Sequence, residues 1–454
     1  MTEGPIGPIL LKLTAPMVLG IISVIAFNLI DTYFVGQLGT NQLAAMSFTF
    51  PVVMTFGSLA MGLGIGTSSV ISRAIGKGNL KQVQQYTTAS LSLSLVIVML
   101  FVSLGFFTIE PLFQLLGSGP YVLPYIKDYM QIWYLGMLFL VIPMVGTNAI
   151  RAAGNTLSPT IIMAFAAALN IFLDRLFIFG EFGFPRLELQ GAAIATVISR
   201  AFTLLAVLFV LRVKENLLSR KHPSLQKTIE CWQEILKIGC PVAIAMLLTP
   251  FATGIITRLI SSHGSAAVAG FGIATRTESF ALITVSALAA SIGPFVGQNW
   301  GANAFGRVRK ALQYSYRFCL GWGLFVAVVL NFSGQTIATY FNQDLDVVGI
   351  TATYYSFVPI SYGMVGIILV ASSAFNAMGK PLPAISISFL QFFIIYIPVA
   401  YIGNNMSGLT GIFTAAIISN FIVGILAYYL SQKNCLHLNE NMAMSVKSEQ
   451  EIYS

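Results

Sequence analysis

The sequence predicts an all-α integral membrane protein with twelve transmembrane helices in two six-helix bundles. Two observations carry this prediction. The chain has 454 residues, of which 56% are hydrophobic and only 9% are charged, whereas soluble proteins have about 25% charged residues. The chain also repeats itself at an offset of 225 positions, so that the second half has the layout of the first. A duplicated and strongly apolar chain is typical of a polytopic membrane protein.

Twelve apolar runs are long enough to cross a bilayer, which requires about 20 residues in a helix. They lie near 12–36, 43–72, 85–109, 121–147, 157–180, 189–212, 237–260, 265–296, 311–334, 347–375, 382–403 and 409–431. Clusters of glycine and asparagine separate many of them, as is typical of turns. Six spans per repeat return the chain to its starting side of the membrane. The two bundles are therefore expected to be related by a pseudo-two-fold axis along the membrane normal.

The repeat aligns small residues and prolines, but it does not align the buried acids. A shift of 225 positions superposes Lys12 on Lys237, Pro16 on Pro241, Gly39 on Gly264, Ala44 on Ala269 and Gly76 on Gly301. The same shift places Asp31 on Ile256 and Asp174 on Val399. A scaffold that is duplicated without its acids suggests a transporter whose ion chemistry lies in one half.

The distribution of basic residues predicts the membrane topology. Lys and Arg cluster in the connections after even-numbered spans, which places those connections and both termini in the cytoplasm. The charged segment 214–236 is interpreted as a cytoplasmic linker between an N-terminal bundle, 1–213, and a C-terminal bundle, 237–433. Residues 434–454 then form a cytoplasmic tail. No removable signal peptide is expected, because the first apolar run is the first span itself.

Other functional classes find little support in the sequence. The four cysteines and three histidines lie far apart, and no metal-ligand spacing, phosphate loop or nucleophile elbow occurs. The net charge of +8 follows from the topology and requires no nucleic acid. We therefore expect neither an enzyme nor a bound cofactor. An internally duplicated transporter has no need to dimerise, so a monomer is expected.

Ionisable side chains inside membrane spans are costly and therefore indicate functional sites. Asp31 lies about 22 Å beyond Pro16 at a rise of 1.5 Å per residue. Asp174 lies about 25 Å beyond Leu157, the start of the fifth span, by the same arithmetic. Both acids are therefore expected at a similar depth in the outer half of the bilayer.

Polar residues accompany both acids. Asn28 precedes Asp31 by three residues and Asn170 precedes Asp174 by four, so each amide shares the helix face of its acid. Thr196 lies about 10 Å below the outer end of the sixth span. Carboxylate, amide and hydroxyl oxygens at one depth suit a hard cation such as Na⁺, and a pair of buried carboxylates also suits a proton. Alternatively, separate hydrogen bonds satisfy each acid.

Three further features of the spans leave alternatives open. Pro16 removes a backbone hydrogen bond inside the first span, so it is either a static kink or a hinge that follows the charge on Asp31. Arg276 and Glu278 lie two residues apart in the eighth span and point to different helix faces. They belong either to a structural ion pair of the second bundle or to a site for substrate or coupling ion. Arg200 in the sixth span is expected either to neutralise an acid or to reach polar backbone.

Four stretches resemble signature sequences of the MATE (multidrug and toxic compound extrusion) transporters. They are residues 28–39 (NLIDTYFVGQLG), 150–156 (IRAAGNT), 169–174 (LNIFLD) and 190–196 (QGAAIAT). The resemblance covers nearly the whole chain. It implies the MATE fold, in which twelve spans form two six-helix bundles.

Within the MATE family, the chain is more similar to the DinF-like branch than to the NorM-like branch. Thr249 stands where NorM-like members have an acid in the seventh span. The resemblance to DinF-like members implies a functional cluster in the first bundle. The matching positions here are Asp31, Asn170, Asp174 and Thr196, with Tyr129 as a further candidate. One departure is Arg175, where relatives commonly have proline; it is expected to reach the outer surface or partly neutralise Asp174.

The resemblance implies a multidrug efflux antiporter in a bacterial inner membrane. Such a protein exports amphipathic organic cations, such as drugs and dyes, in exchange for H⁺ or Na⁺. A lipid-linked oligosaccharide flippase of the same wider superfamily is the alternative, although those proteins typically have fourteen spans and a cationic cavity. A membrane enzyme or a structural protein is a second alternative, which the lack of any catalytic constellation disfavours.

Overall fold

The structure is a computed structural model that describes residues 1–219 and 224–452, without the side chains of residues 40, 41, 43, 44, 182 and 435–452. Every regular element in the described ranges is helical. Residues 220–223 of the predicted linker lie outside the described residues.

The first half of the chain contains seven α-helices. They are α1 (Ile6–Gly36), α2 (Thr40–Gly76), α3 (Leu80–Leu115), α4 (Leu123–Gly136), α5 (Leu138–Ala152), α6 (Leu157–Phe179) and α7 (Glu188–Phe209). A 3₁₀ turn, Glu181–Gly183, lies between α6 and α7, and a π-helical turn, Val210–Lys214, continues α7. Local capping fixes some of the starts: the Asn79 side chain accepts a 3.0 Å hydrogen bond from the Gln82 amide at the start of α3.

The second half of the chain contains eight α-helices. They are α8 (Leu225–Ser261), α9 (Ser265–Ala281), α10 (Ile283–Gly301), α11 (Phe305–Phe341), α12 (Leu345–Phe357), α13 (Tyr362–Ala377), α14 (Pro381–Phe389) and α15 (Ile397–Ile452). A 3₁₀ segment, Val358–Ser361, joins α12 to α13, and a π-helical segment, Leu390–Tyr396, joins α14 to α15.

These helices make twelve membrane spans. Nine helices in the described ranges are long and apolar enough to cross a membrane, and two bent pairs raise the count to eleven. In these pairs, α4 and α5 bend by 42° and α9 and α10 bend by 47°. The twelfth span comes from α15, whose backbone leaves the helical conformation at Gly408 (φ 61°, ψ −135°). The chain reverses there, as a hydrogen bond between the two arms shows: the Ser419 hydroxyl donates to the Gln391 carbonyl at 2.8 Å. The predicted twelve-span all-α fold is confirmed.

The chain divides into two compact units. The first unit comprises Ala15–Ala243, and the second comprises Met1–Thr14 together with Ile244–Ser454. These boundaries fall inside α1 and α8. The predicted linker, 214–236, covers the connection after α7 and the first turns of α8. In the second unit, the N-terminal segment is held by Arg307, which donates hydrogen bonds of 2.9 Å to the Gly4 carbonyl and 3.2 Å to the Met1 carbonyl.

The first unit includes the N-terminal part of α8 because that part crosses α2 at glycines. A Cβ on Gly62 would meet the Gly239 carbonyl, and a Cβ on Gly66 would lie 2.6 Å from the Ile235 carbonyl. The Trp232 indole also donates a 2.9 Å hydrogen bond to the Ala89 carbonyl of α3. Small residues allow such close backbone contact between membrane helices.

We predict that Gly66→Ala destabilises the protein by about 1–3 kcal/mol, because the added methyl group must push α8 away from α2. The measurement is the thermal midpoint of the purified protein in detergent. The matched control is Gly57→Ala in the same helix, where a Cβ meets nothing within 4 Å. A midpoint for Gly66→Ala that equals or exceeds that of the control would contradict this account of the crossing.

Candidate functional site

Helices α1 and α6 contact each other at two places in the first unit. In the first third of α1 and the first turn of α6, the Thr160 hydroxyl donates a 2.9 Å hydrogen bond to the Pro16 carbonyl. Near the C-terminal ends of both helices, the rings of Phe34 and Phe179 pack edge to face with their centroids 5.9 Å apart. Asp31 precedes Phe34 by three residues and Asp174 precedes Phe179 by five. The two acids therefore lie at a similar depth, as predicted.

Asp31 and Asp174 form a pair of buried carboxylates. Asp31 is 7% exposed and Asp174 is fully buried, and the two carboxylates interact electrostatically with each other. Asp31 Oδ1 and both carboxylate oxygens of Asp174 have no hydrogen-bond partner among the described protein groups. Burying an unsatisfied polar atom costs about 1–3 kcal/mol, and more for a charged group. Such an arrangement is typical of a site that binds an ion.

Asn170 lies on the same face of α6 as Asp174 and adds an amide group next to the pair of acids. It precedes Asp174 by one helical turn and is fully buried. Its Oδ1 and Nδ2 atoms likewise have no hydrogen-bond partner within the described part of the chain. Five unpartnered polar atoms thus belong to Asp31, Asn170 and Asp174. We call these three residues the carboxylate cluster.

Helices α4 and α7 add a phenol, a guanidinium and a hydroxyl near the carboxylate cluster. Tyr129 of α4 is 7% exposed and interacts electrostatically with both acids and with Arg200. Arg200 of α7 interacts with Asp31, and Thr196, which is 6% exposed, lies one turn before it on the same face. The two helices pack closely because Gly136 contacts the Val197 side chain, where a Cβ would clash.

Two residues near the acids do not join the carboxylate cluster. Asn28 is exposed, and its amide donates a 3.0 Å hydrogen bond to the Val24 carbonyl of its own helix. Arg175 pairs with Glu181 at 3.1 Å and is 61% exposed. Of the two alternatives expected for Arg175, the structure agrees with the exposed position and not with neutralisation of Asp174, because the side chain reaches the connection that follows α6.

The ion pair suggested for Arg276 and Glu278 is absent from the described residues. Arg276 is exposed, whereas the Glu278 carboxylate accepts a 2.5 Å hydrogen bond from the Tyr354 hydroxyl. Residues two apart on a helix point in different directions, and the phenol of α12 reaches Glu278 instead. Sequence reasoning missed Tyr354. The available signal was the repeat, because Tyr354 lies 225 positions after Tyr129.

The donor set of the first unit suits a proton or a hard monovalent cation. Carboxylate, amide and hydroxyl oxygens are the ligands that hard cations prefer, and Asp31, Asn170, Asp174 and Thr196 provide all three kinds. No group of three His, Cys, Asp or Glu side chains arranged for a metal ion occurs among the residues described. A site with two carboxylates and neutral oxygens can bind one or two monovalent cations or protons.

An internally repeated helical membrane protein with ionisable side chains buried in its spans has the architecture of a secondary transporter. The MatE family model matches residues 16–176 and 241–402, once in each half of the chain. The chain therefore belongs to the MatE family, whose members are transporters.

Individual relatives extend over nearly the whole chain. The FAD transporter of Shewanella oneidensis strain MR-1 is 38% identical over 435 residues, which cover 96% of each chain. The probable multidrug resistance protein YpnP of Bacillus subtilis strain 168 is 27% identical over 415 residues, 90% of this chain and 91% of the relative. The crystal structure of the Vibrio cholerae MATE transporter VcmN in the bent form is 32% identical, with a TM-score of 0.91, over 96% of this chain and 98% of that one. The DinF-like assignment stays a prediction.

We predict that Asp174→Asn stabilises the protein by about 1–3 kcal/mol, because it removes the repulsion from Asp31 and supplies an amide donor to unpartnered oxygens. The measurement is the thermal midpoint across a range of pH. The midpoint of Asp174→Asn should exceed that of the wild type by the largest amount at alkaline pH. The difference should vanish at acidic pH, where both carboxyl groups are protonated and no longer repel.

The control for this measurement is Glu181→Gln, which removes an acid of the same unit from a surface ion pair with Arg175. Surface ion pairs contribute about 0–1 kcal/mol, so its midpoint should stay close to that of the wild type. A lower midpoint for Asp174→Asn at alkaline pH would mean that Asp174 is satisfied in the folded protein.

Proposed function

We propose that this MatE-family chain is a cation-coupled efflux antiporter, with Asp31 and Asp174 as the residues that bind the coupling ion. The observation that supports the proposal most strongly is the carboxylate cluster, whose two acids are buried at one depth with three unpartnered oxygens. The exported substrates are proposed to be amphipathic organic cations, and the coupling ion is H⁺ or Na⁺. The similarity to the multidrug resistance protein YpnP over 90% of the chain agrees with this substrate class.

The proposed exchange depends on the charge of the carboxylate cluster. When both acids are ionised, their negative field attracts an organic cation. When an external H⁺ or Na⁺ binds, the field weakens and the organic cation leaves. Asn170 and Thr196 provide neutral oxygens for Na⁺, whereas a proton needs only the carboxylates. One charge that moves down a potential of 100 mV contributes about 2.3 kcal/mol, which supports a concentration ratio of about 50-fold.

The transport prediction uses the purified protein in lipid vesicles with a fluorescent cationic dye. A pH gradient and a Na⁺ gradient are imposed separately. Wild-type protein should move the dye under one of the two gradients, which identifies the coupling ion. Asp31→Asn should reduce the gradient-driven flux by about tenfold or more, because the amide cannot take up the charge of the coupling ion.

Glu181→Gln is the matched control for the vesicle assay, because it removes an exposed acid of the same unit and should transport normally. Full dye flux with full ion coupling in Asp31→Asn would refute the proposed role of this residue. Wild-type vesicles that move no dye under either gradient would instead favour the lipid-linked oligosaccharide flippase.

A flavin dinucleotide is the second candidate substrate. The FAD transporter of Shewanella oneidensis is 38% identical over 96% of this chain, which is a higher identity than that of the multidrug resistance protein YpnP. FAD is anionic, and a guanidinium suits phosphate groups; Arg200, beside Asp31, offers one. The same vesicles, loaded with FAD in place of the dye, test this candidate through flavin fluorescence. Export of FAD without dye flux would replace organic cations by flavins as the substrate class.

Pro16 is proposed as the hinge through which α1 responds to the charge on Asp31. Proline removes a backbone hydrogen bond inside the helix, and the Thr160 hydroxyl holds the Pro16 carbonyl at 2.9 Å. A bend at this point moves the outer part of α1, which carries Asp31, relative to the part before Pro16.

We predict that Pro16→Ala lowers dye flux several-fold, because the restored hydrogen bond stiffens α1 by about 3 kcal/mol. The initial rate of gradient-driven flux in vesicles is the measurement. Pro51→Ala, inside α2 and exposed, is the control and should keep its rate. Equal rates for wild type and Pro16→Ala would identify Pro16 as a static kink.

A further inference from the structure

The second unit contains a half-buried carboxylate, Glu278, that the proposed exchange does not use. Glu278 lies in the last turn of α9, just before the 47° bend that separates α9 from α10. Its carboxylate accepts a 2.5 Å hydrogen bond from the Tyr354 hydroxyl of α12. Broken membrane helices frequently line ion and substrate sites, since their interrupted backbone faces polar groups. Glu278 therefore lies where a functional acid is expected.

The surroundings of Glu278 are phenols and not cations. Tyr354, Tyr362 and Tyr396 interact electrostatically with its carboxylate. Tyr362 is 1% exposed, and its hydroxyl has no partner of good hydrogen-bond geometry in the described ranges. Arg276, the nearest basic residue along the chain, is exposed, and no ion pair of the described residues includes Glu278. Among the described residues, the carboxylate is therefore stabilised by the hydrogen bond from Tyr354 and not by a cation.

The internal repeat relates this arrangement to the first unit. Tyr354 lies 225 positions after Tyr129, and Tyr129 interacts electrostatically with Asp31 and Asp174. Tyr362 lies 225 positions after Met137, the residue at which α4 and α5 bend. The span that contains α12 and α13 is interrupted at the corresponding place by the segment Val358–Ser361. Each unit thus places the equivalent tyrosine of its fourth span beside an acidic side chain that is at least half-buried.

Packing around Tyr354 limits what the Glu278 site can bind. The Tyr354 ring packs against the rings of Phe271 and Phe413, with centroids 6.1 Å and 5.1 Å away. Tyr354 is 5% exposed and Tyr355, beside it, is 1% exposed. A core this tightly packed has no room for an organic cation. A proton requires no added volume, because it forms an O–H bond on an oxygen that is already present.

We propose that Glu278, Tyr354 and Tyr362 form a second proton-binding site, located entirely within the second unit. The Glu278 carboxylate takes up one proton from solvent and releases it again, while the phenols keep their own protons. Tyr354 donates to the carboxylate in its ionised form. The Tyr362 hydroxyl provides the second oxygen beside Glu278. The site goes beyond the proposed exchange at Asp31 and Asp174, and it exists whether or not those acids couple transport.

The experiment is infrared difference spectroscopy of the full-length protein in lipid nanodiscs, between about pH 5 and pH 9. Protonated carboxyl groups give a carbonyl stretching band that ionised carboxylates lack. The background is the double variant Asp31→Asn, Asp174→Asn, which removes the first-unit carboxyl groups. A pH-dependent band from a buried carboxyl group should remain in this background and disappear when Glu278→Gln is added.

Phenol variants assign the band to Glu278 even if Glu278→Gln fails to fold. Tyr354→Phe should move the band to a different frequency, because the carboxyl group loses its 2.5 Å hydrogen bond. Tyr355→Phe is the matched control and should leave the frequency unchanged, since the Tyr355 hydroxyl bonds to Thr277 at 2.7 Å. A background variant without such a band, or a band that is insensitive to both Glu278→Gln and Tyr354→Phe, would overturn the proposal. Neither result depends on whether the vesicles transport dye.

Discussion

A membrane span offers no water to solvate a charge, and this constraint governs where the chain keeps its buried acids. Asp31 and Asp174 share one depth in the first unit, and Glu278 lies alone in the second. A tyrosine of the fourth span of each unit, Tyr129 or Tyr354, lies beside them. A phenol can donate a hydrogen bond to a carboxylate without neutralising it. Arg200 interacts electrostatically with Asp31, but no ion pair of the described residues includes any of the three acids, so the proposed ion exchange requires no salt bridge to break.

The sequence alone predicts the features of this protein that follow from counting residues along a helix. Twelve apolar runs follow from the length that a helix needs to cross the bilayer. The shared depth of Asp31 and Asp174 follows from a rise of 1.5 Å per residue, counted from Pro16 and from the start of the fifth span. Asn170 shares the face of Asp174 because a helical turn separates them. Each of these predictions needs only the regular geometry of an α-helix.

The sequence alone did not predict the hydrogen-bond or ion-pair partner of side chains that have several polar neighbours. Asn28 was expected to face the same way as Asp31, yet its amide bonds to the Val24 carbonyl of its own helix. Arg175 turns away from Asp174 to Glu181. Glu278 bonds to a tyrosine 76 residues away, a contact that depends on how the helices pack. Spacing along one helix determines the face of a residue, whereas tertiary packing determines its partner.

The reversal at Gly408 has a consequence for the biosynthesis of the protein. Spans eleven and twelve are joined by helical backbone that touches itself at Gly403 and Gly411, with no extended loop between them. Most membrane hairpins require the insertion machinery to pass a polar loop across the bilayer. Here the segment to be passed is a few residues long and carries no charge. The last two spans described here can therefore enter the lipid together as one preformed hairpin.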